Sequence, residues 1–157
     1  MKLTEDELEQ MLKERPWLKV DKGITQAVSA RPSLADRRAS VKALDKAFSQ
    51  FIRQRAIKRV GGCERCLTPK ASWTQLQCSH FWGRGRKMVR WNEANAVGIC
   101  GGCHMYLTAH PLEHAEWYKK HLGELQFTLL EISARTVGKP DIEGIWLWLK
   151  AELEKQK

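Results

Sequence analysis

Apolar residues recur every three or four positions between Val41 and Ile52, at Val41, Leu44, Phe48, Phe51 and Ile52. That period describes one face of an α-helix. A cap at Ser33 or Asp36 and the break at Gly61-Gly62 predict a long helix ending near Val60. Upstream, Thr4 and Glu7 form a capping box ahead of Leu8, Met11 and Leu12, and Pro16 and Asp21-Lys22-Gly23 end that shorter helix. From Trp73 to His80 the period drops to two, with Leu76, Cys78 and His80 on one side, which predicts a strand. Asn95–Cys100 predicts the returning strand, across a Gly- and Arg-rich loop over 81–93. Gly101-Gly102 then turns into a helix carrying Cys103 and His104. Pro111 opens a further helix that Gly123 stops. Leu122, Leu125, Leu129 and Ile132 mark an apolar stripe on a helix over 124–137, and Asp141 caps a last one through Ile142, Ile145, Trp146, Leu149 and Leu153.

The expected class is therefore α+β and mostly helical. A helical appendage (1–30) precedes a long basic helix (31–62), a compact core (63–122) and C-terminal helices (123–157). A chain of 157 residues has room for one modest domain with an added arm. No apolar run reaches the roughly 18 residues of a membrane span, and the acidic, amphipathic start is unlike a signal peptide. A cytoplasmic protein with reduced thiols is the expectation, so paired cysteines read as metal ligands rather than disulfides.

The net charge is +9, and its placement is uneven. Residues 31–90 hold fifteen Lys/Arg against three Asp/Glu, whereas 1–30 hold five against six and 91–157 seven against nine. A basic field confined to the middle of a chain suits a polyanion, and nucleic acid is the commonest. Lys42, Lys46 and Arg53 lie on one side of the long helix, and Arg84, Arg86, Lys87 and Arg90 crowd the loop. All seven are candidate phosphate contacts, which position a strand without reading its sequence.

The stretch from Cys63 to His110 holds all five cysteines. Cys63/Cys66 and Cys100/Cys103 form two Cys-x-x-Cys pairs able to surround one structural zinc, while Cys78 reads as a small buried side chain. Phosphodiester hydrolysis needs a base, a cation on the phosphate and something to hold the base in line. His80 at a strand end fits the base, Asn95 the brace and His104 the cation ligand. His110 is the candidate second ligand, or else a helix cap before Pro111. Trp82 suits base stacking or a buried role, and Trp91 suits the core.

Cys78-Ser79-His80, then Asn95, then Cys100-x-x-Cys103-His104 resembles the HNH (His-Me finger, ββα-metal) nucleases. More narrowly, the run from Phe48 to Arg55, Cys63-Glu64-Arg65-Cys66, Ser79-His80-Phe81 and Arg90 to Asn95 resemble the NinG/Rap recombination nucleases of lambdoid phages. The resemblance covers residues 44–110 and implies a zinc-braced ββα-metal core. It implies His80 as general base, Asn95 as its positioner, and Mg²⁺ or Mn²⁺ at His104. It also implies branched DNA, such as Holliday junctions and D-loops, as substrate, with host recombination proteins as possible company and the host cytoplasm as the setting if phage-encoded. Many HNH enzymes place Asp or His immediately before the base as a second ligand; here Ser79 stands there. Symmetric junction cutting calls for a homodimer, for which Trp146 and Trp148 on the last helix offer a contact unless they pack on their own domain. Two other readings stay open: a zinc-knuckle nucleic-acid-binding protein without activity, and a sequence-specific HNH homing or restriction enzyme.

Overall fold

The computed structural model describes residues 34–156. The expected helix at Thr4, with the rest of segment 1–30, lies outside the described residues. Helix α1 spans Leu34–Val60, 27 residues, or about 40 Å of rise. Its stripe is buried as expected at Leu44, Phe48, Phe51 and Ile52, and continues to Ala56. Gly61 ends the helix in the left-handed region at φ 67, where only glycine sits without strain. Gly62 then pairs with Pro69 so closely that a Cβ would strike the Thr68 carbonyl.

Strands β1 (Gln77–His80) and β2 (Ala96–Ile99) pair antiparallel, Cys78 opposite Gly98 and His80 opposite Ala96. The expected strand is shortened at its start, because Ser72 accepts from the Thr74 N–H and turns Trp73–Gln75 into a 3₁₀ turn. The sheet lies on α1 through Gly98, where a Cβ would stand 2.5 Å from that of Ala56. Four helices follow: α2 (Gly101–Ala109), α3 (Pro111–Leu122), α4 (Glu124–Arg135) and α5 (Ile142–Glu154). Among the described residues no helix is long and apolar enough to cross a membrane.

Two apolar clusters flank the sheet. On one side Leu44, Phe48, Phe51, Ile52 and Ala96 meet Leu149 of α5. On the other, Val97 and Ile99 meet Leu107 of α2, Tyr118 of α3 and Phe127 and Leu130 of α4. Strand alternation thus sends Cys78 and His80 toward α1, and Ser79 toward α2.

Two expectations are decided by packing. Trp146 and Trp148 are half-buried against their own core, Trp148 edge-on to Phe51 at 5.2 Å, which is the second of the two roles expected of them. On α4 the buried residues are Phe127, Leu130 and Ala134, and the predicted stripe faces outward. Both sets have helical spacing; Phe127 is drawn inward by the aromatic cluster at Phe81, 5.3 Å away.

Candidate functional site

The four paired cysteines converge. Cys63 follows α1, Cys100 ends β2 and Cys103 lies in the first turn of α2, and the Sγ atoms with that of Cys66 lie within 4.8 Å of one another. Cys66 and Cys100 are 3.9 Å apart. Zinc–sulfur bonds of about 2.3 Å in a tetrahedron require sulfurs about 3.8 Å apart, so the donor set fits zinc. The sulfurs are also positioned by hydrogen bonds. The Cys100 N–H donates to Cys63 Sγ at 3.3 Å, and Arg65 Nη1 to Cys103 Sγ at 3.6 Å. The Thr68 hydroxyl, with its backbone N–H, draws the Cys66 thiol down to about 6. Among the described residues this is the set of three or more ligating side chains that meets at one point. Such a centre is closed to substrate and serves as a clamp between α1, β2 and α2.

Glu64, inside the first pair, is buried and ties this clamp to the sheet. Its carboxylate accepts from the Gly98 N–H at 2.6 Å and lies 3.9 Å from Arg55 and 3.7 Å from Arg59. Arg55 in turn donates to the Glu93 and Ala96 carbonyls at 3.0 and 2.7 Å, joining α1 to the start of β2.

His80 ends β1 half-buried, its ring 5.8 Å from that of Phe48. Its Nε2 lies 3.0 Å from the Arg90 carbonyl oxygen. A carbonyl only accepts, so the proton sits on Nε2 and Nδ1 keeps its lone pair. Burial, ahead of any neighbouring charge, holds the ring below its ordinary pKa, so it is neutral at pH 7. With Asp45, Lys46, Phe48, Ser49, Cys78 and Arg84 it lines a pocket of ≈ 220 Å³.

Asn95 is fully buried and staples both ends of the loop that carries this carbonyl. Its Oδ1 accepts from the Trp82 N–H at 2.8 Å, and its Nδ2 donates to the Trp82 and Val89 carbonyls at 2.9 Å each. Arg90 is anchored from the other direction. Its Nε and Nη2 donate to the two oxygens of Asp45 at 2.9 and 2.5 Å, and Trp91 Nε1 donates to Asp45 at 2.9 Å. An unbroken set of contacts therefore runs from α1 through Asp45 and Arg90 to the imidazole.

The remaining candidates divide. Lys42, Lys46, Arg84, Arg86 and Lys87 are exposed. Arg90 is not a free phosphate contact, because Asp45 holds its guanidinium. Arg53 is likewise engaged, donating to the Ser49 carbonyl at 3.0 Å with its guanidinium 4.6 Å from the Trp73 ring centre. His104 stands half-buried on α2, on the Ser79 side of the sheet, and is not among the residues lining the His80 pocket. The pKa of His114 is lowered by burial first and then by the charge of His104. His110 is the C-cap of α2, its Nδ1 2.8 Å from the Tyr106 carbonyl and its ring stacked on Tyr106 at 4.2 Å, which is the cap role. Trp82 is half-buried against the core and Trp91 buried within it. Burial pushes the Cys78 thiol up to about 12.

Asp45 and Glu64 escaped the sequence reading, although a signal for them exists. Residues 31–90 contain three acids against fifteen bases, and a carboxylate isolated in such a field is a natural counterion. Compared with protein-family models, curated proteins and solved structures, the chain matches none of them. The likeness to HNH nucleases therefore rests on the motif residues alone.

Proposed function

We propose that this protein is a metal-dependent, structure-selective DNA endonuclease of the HNH type, acting on branched recombination intermediates such as Holliday junctions and D-loops. The observation that supports this reading is the setting of His80: an imidazole at the end of β1, its Nε2 3.0 Å from the Arg90 carbonyl, beside exposed cations and on the strand pair that leads into the four-cysteine cluster. In the proposed reaction Nδ1 takes a proton from water and the hydroxide attacks phosphorus. The bond to the 3′ oxygen breaks and that oxygen takes a proton from solvent, leaving 5′-phosphate and 3′-hydroxyl ends. Asn95 and the Arg90 carbonyl hold the base in line throughout. His104 would hold Mg²⁺ or Mn²⁺, and the ion, when bound, would supply positive charge at the scissile phosphate. Among the described residues His104 belongs to no group of three or more ligating side chains, so water and phosphate oxygens would complete that ion's shell. Since β1 directs His80 and Ser79 to opposite sides, the phosphate would sit astride the strand's end, reached by base and cation from either side. Lys46 and Arg84 at the pocket, with Arg86 and Lys87 along the loop, are placed to guide the backbone by charge rather than by base sequence.

Matched four-way-junction and linear duplex DNA offered with Mg²⁺ to wild type and His80→Ala test this. The expected result is junction cutting by the wild type, and binding without cutting by His80→Ala. Wild-type protein that binds but never cuts is a zinc-knuckle binding module, and preferential cutting of linear duplex at a fixed sequence is a homing or restriction enzyme. Either result overturns the proposal.

A further inference from the structure

Helix α4 is apolar on two opposite sides. Phe127, Leu130 and Ala134 face the core, while Leu125, Leu129 and Ile132 are 70%, 48% and 59% exposed. At about 100° per residue those three fall within about 60° of the circumference, nearly opposite the buried set. A helix apolar on both sides is ordinarily covered on both. We infer that a second copy of this chain covers the outer stripe, α4 against α4, antiparallel about a two-fold axis at Leu129.

The choice of occupant follows from what borders the stripe. Thr128, Arg135, Glu124 and Glu131 lie along one edge, and Gln126 and Ser133 along the other. Antiparallel helices bring like edges together, whereas parallel helices bring unlike edges together. In the antiparallel pair Glu124 meets the partner's Arg135, and the reverse, while Leu125 meets the partner's Ile132 and Leu129 meets itself. In the parallel pair the charged edge meets only Gln126 and Ser133. The two helix dipoles also oppose one another only in the antiparallel case. Within one copy Glu124 already pairs with Lys119 at 2.8 Å and Arg135 with Glu131 at 3.8 Å, but these acids and bases are at the surface and free to exchange. The stripe is thus self-complementary, as an isologous contact must be. A single twelve-residue helix buries less than the about 800 Å² per side of long-lived complexes, so micromolar association is expected. The association stands on α4 alone; its purpose, two matched cuts across a junction, rests on the nuclease reading above.

Sedimentation equilibrium of the full zinc-loaded chain, from about 1 to about 100 µM, tests it. The wild type should pass from monomer to dimer across that range. Leu129→Glu sets two carboxylates on the axis and should weaken association at least about a hundredfold, with zinc content and helical circular dichroism unchanged. Geometry is tested separately with a short bismaleimide under conditions that leave the wild type uncrosslinked. Leu129→Cys should join to itself, and Leu125→Cys should join to Ile132→Cys in preference to itself. A wild type monomeric at the highest concentration, a dimer indifferent to Leu129→Glu, or Leu129→Cys that fails to join would each overturn the inference. A monomer that cuts junctions sinks only the dimer; a dimer that never cuts sinks only the nuclease.

Discussion

Asp45→Ala probes the most consequential side chain in the pocket. The Asp45 carboxylate accepts three hydrogen bonds, two from the Arg90 guanidinium and one from the Trp91 indole. Burial by itself would raise its pKa, but Arg90, with Trp91 and Arg84 in support, outweighs burial and holds the carboxyl below the usual range. About one-fifth of each partner's side chain is exposed, 20% for Asp45 and 23% for Arg90. The pair therefore falls between a solvent-screened bridge, worth about 0–1 kcal/mol, and a buried one, whose breaking costs about 3–5 kcal/mol. Losing the carboxylate should cost about 2–3 kcal/mol, because Arg90 keeps its charge and loses its acceptor. Urea unfolding of the zinc-loaded protein would show this as a lower midpoint at unchanged slope. A depressed carboxylate pKa gives stability that is complete above about pH 4 and is lost as pH falls through the folded-state value. The difference between wild type and Asp45→Ala should therefore be full at pH 7 and shrink in acid. The Arg90 backbone also carries the carbonyl that lies 3.0 Å from His80 Nε2, so if the protein is the nuclease proposed, its maximal cleavage rate should fall more than its substrate affinity. An unchanged midpoint at pH 7, or a difference that grows as pH falls below about 4, would refute this reasoning.

Three further outcomes are expected. A chelator strong enough to strip zinc, or Cys66→Ala, should abolish the cooperative thermal transition followed by circular dichroism, because the four thiolates join α1, β2 and α2. Gly98→Ala should destabilise by about 1–3 kcal/mol in denaturant titration, since its Cβ would stand 2.5 Å from that of Ala56 and 3.1 Å from the Ile52 carbonyl. If His80 is the base, its lowered pKa keeps Nδ1 unprotonated to lower pH; the acidic limb of the rate profile should then fall below the about 6.5 of free histidine.

Much of the fold could be read directly from residue order. The span of α1, the Pro111 and Gly123 boundaries of α3, and the Asp141 cap of α5 follow from period and capping chemistry, which act within a few residues. The zinc donor set was legible for a similar reason, because Cys-x-x-Cys spacing by itself puts two sulfurs on one turn. The start of β1 was misjudged, since alternation from Trp73 onward is also compatible with the turn that Ser72 caps.

What the residue order determined alone was most of the elements among the described residues and the four-cysteine set able to hold a metal, both products of short-range geometry. Packing settled the rest: which side of α4 turned inward, which arginines were taken up by carboxylates and an aromatic ring, and that Arg90 serves His80 instead of solvent. Asp45 and Arg90 are 45 positions apart and meet only because α1 lies beside the loop. No local pattern encodes such a meeting, because a charge or an apolar side chain is satisfied equally by any suitable neighbour. Which neighbour it finds depends on how the whole chain closes around its two apolar clusters.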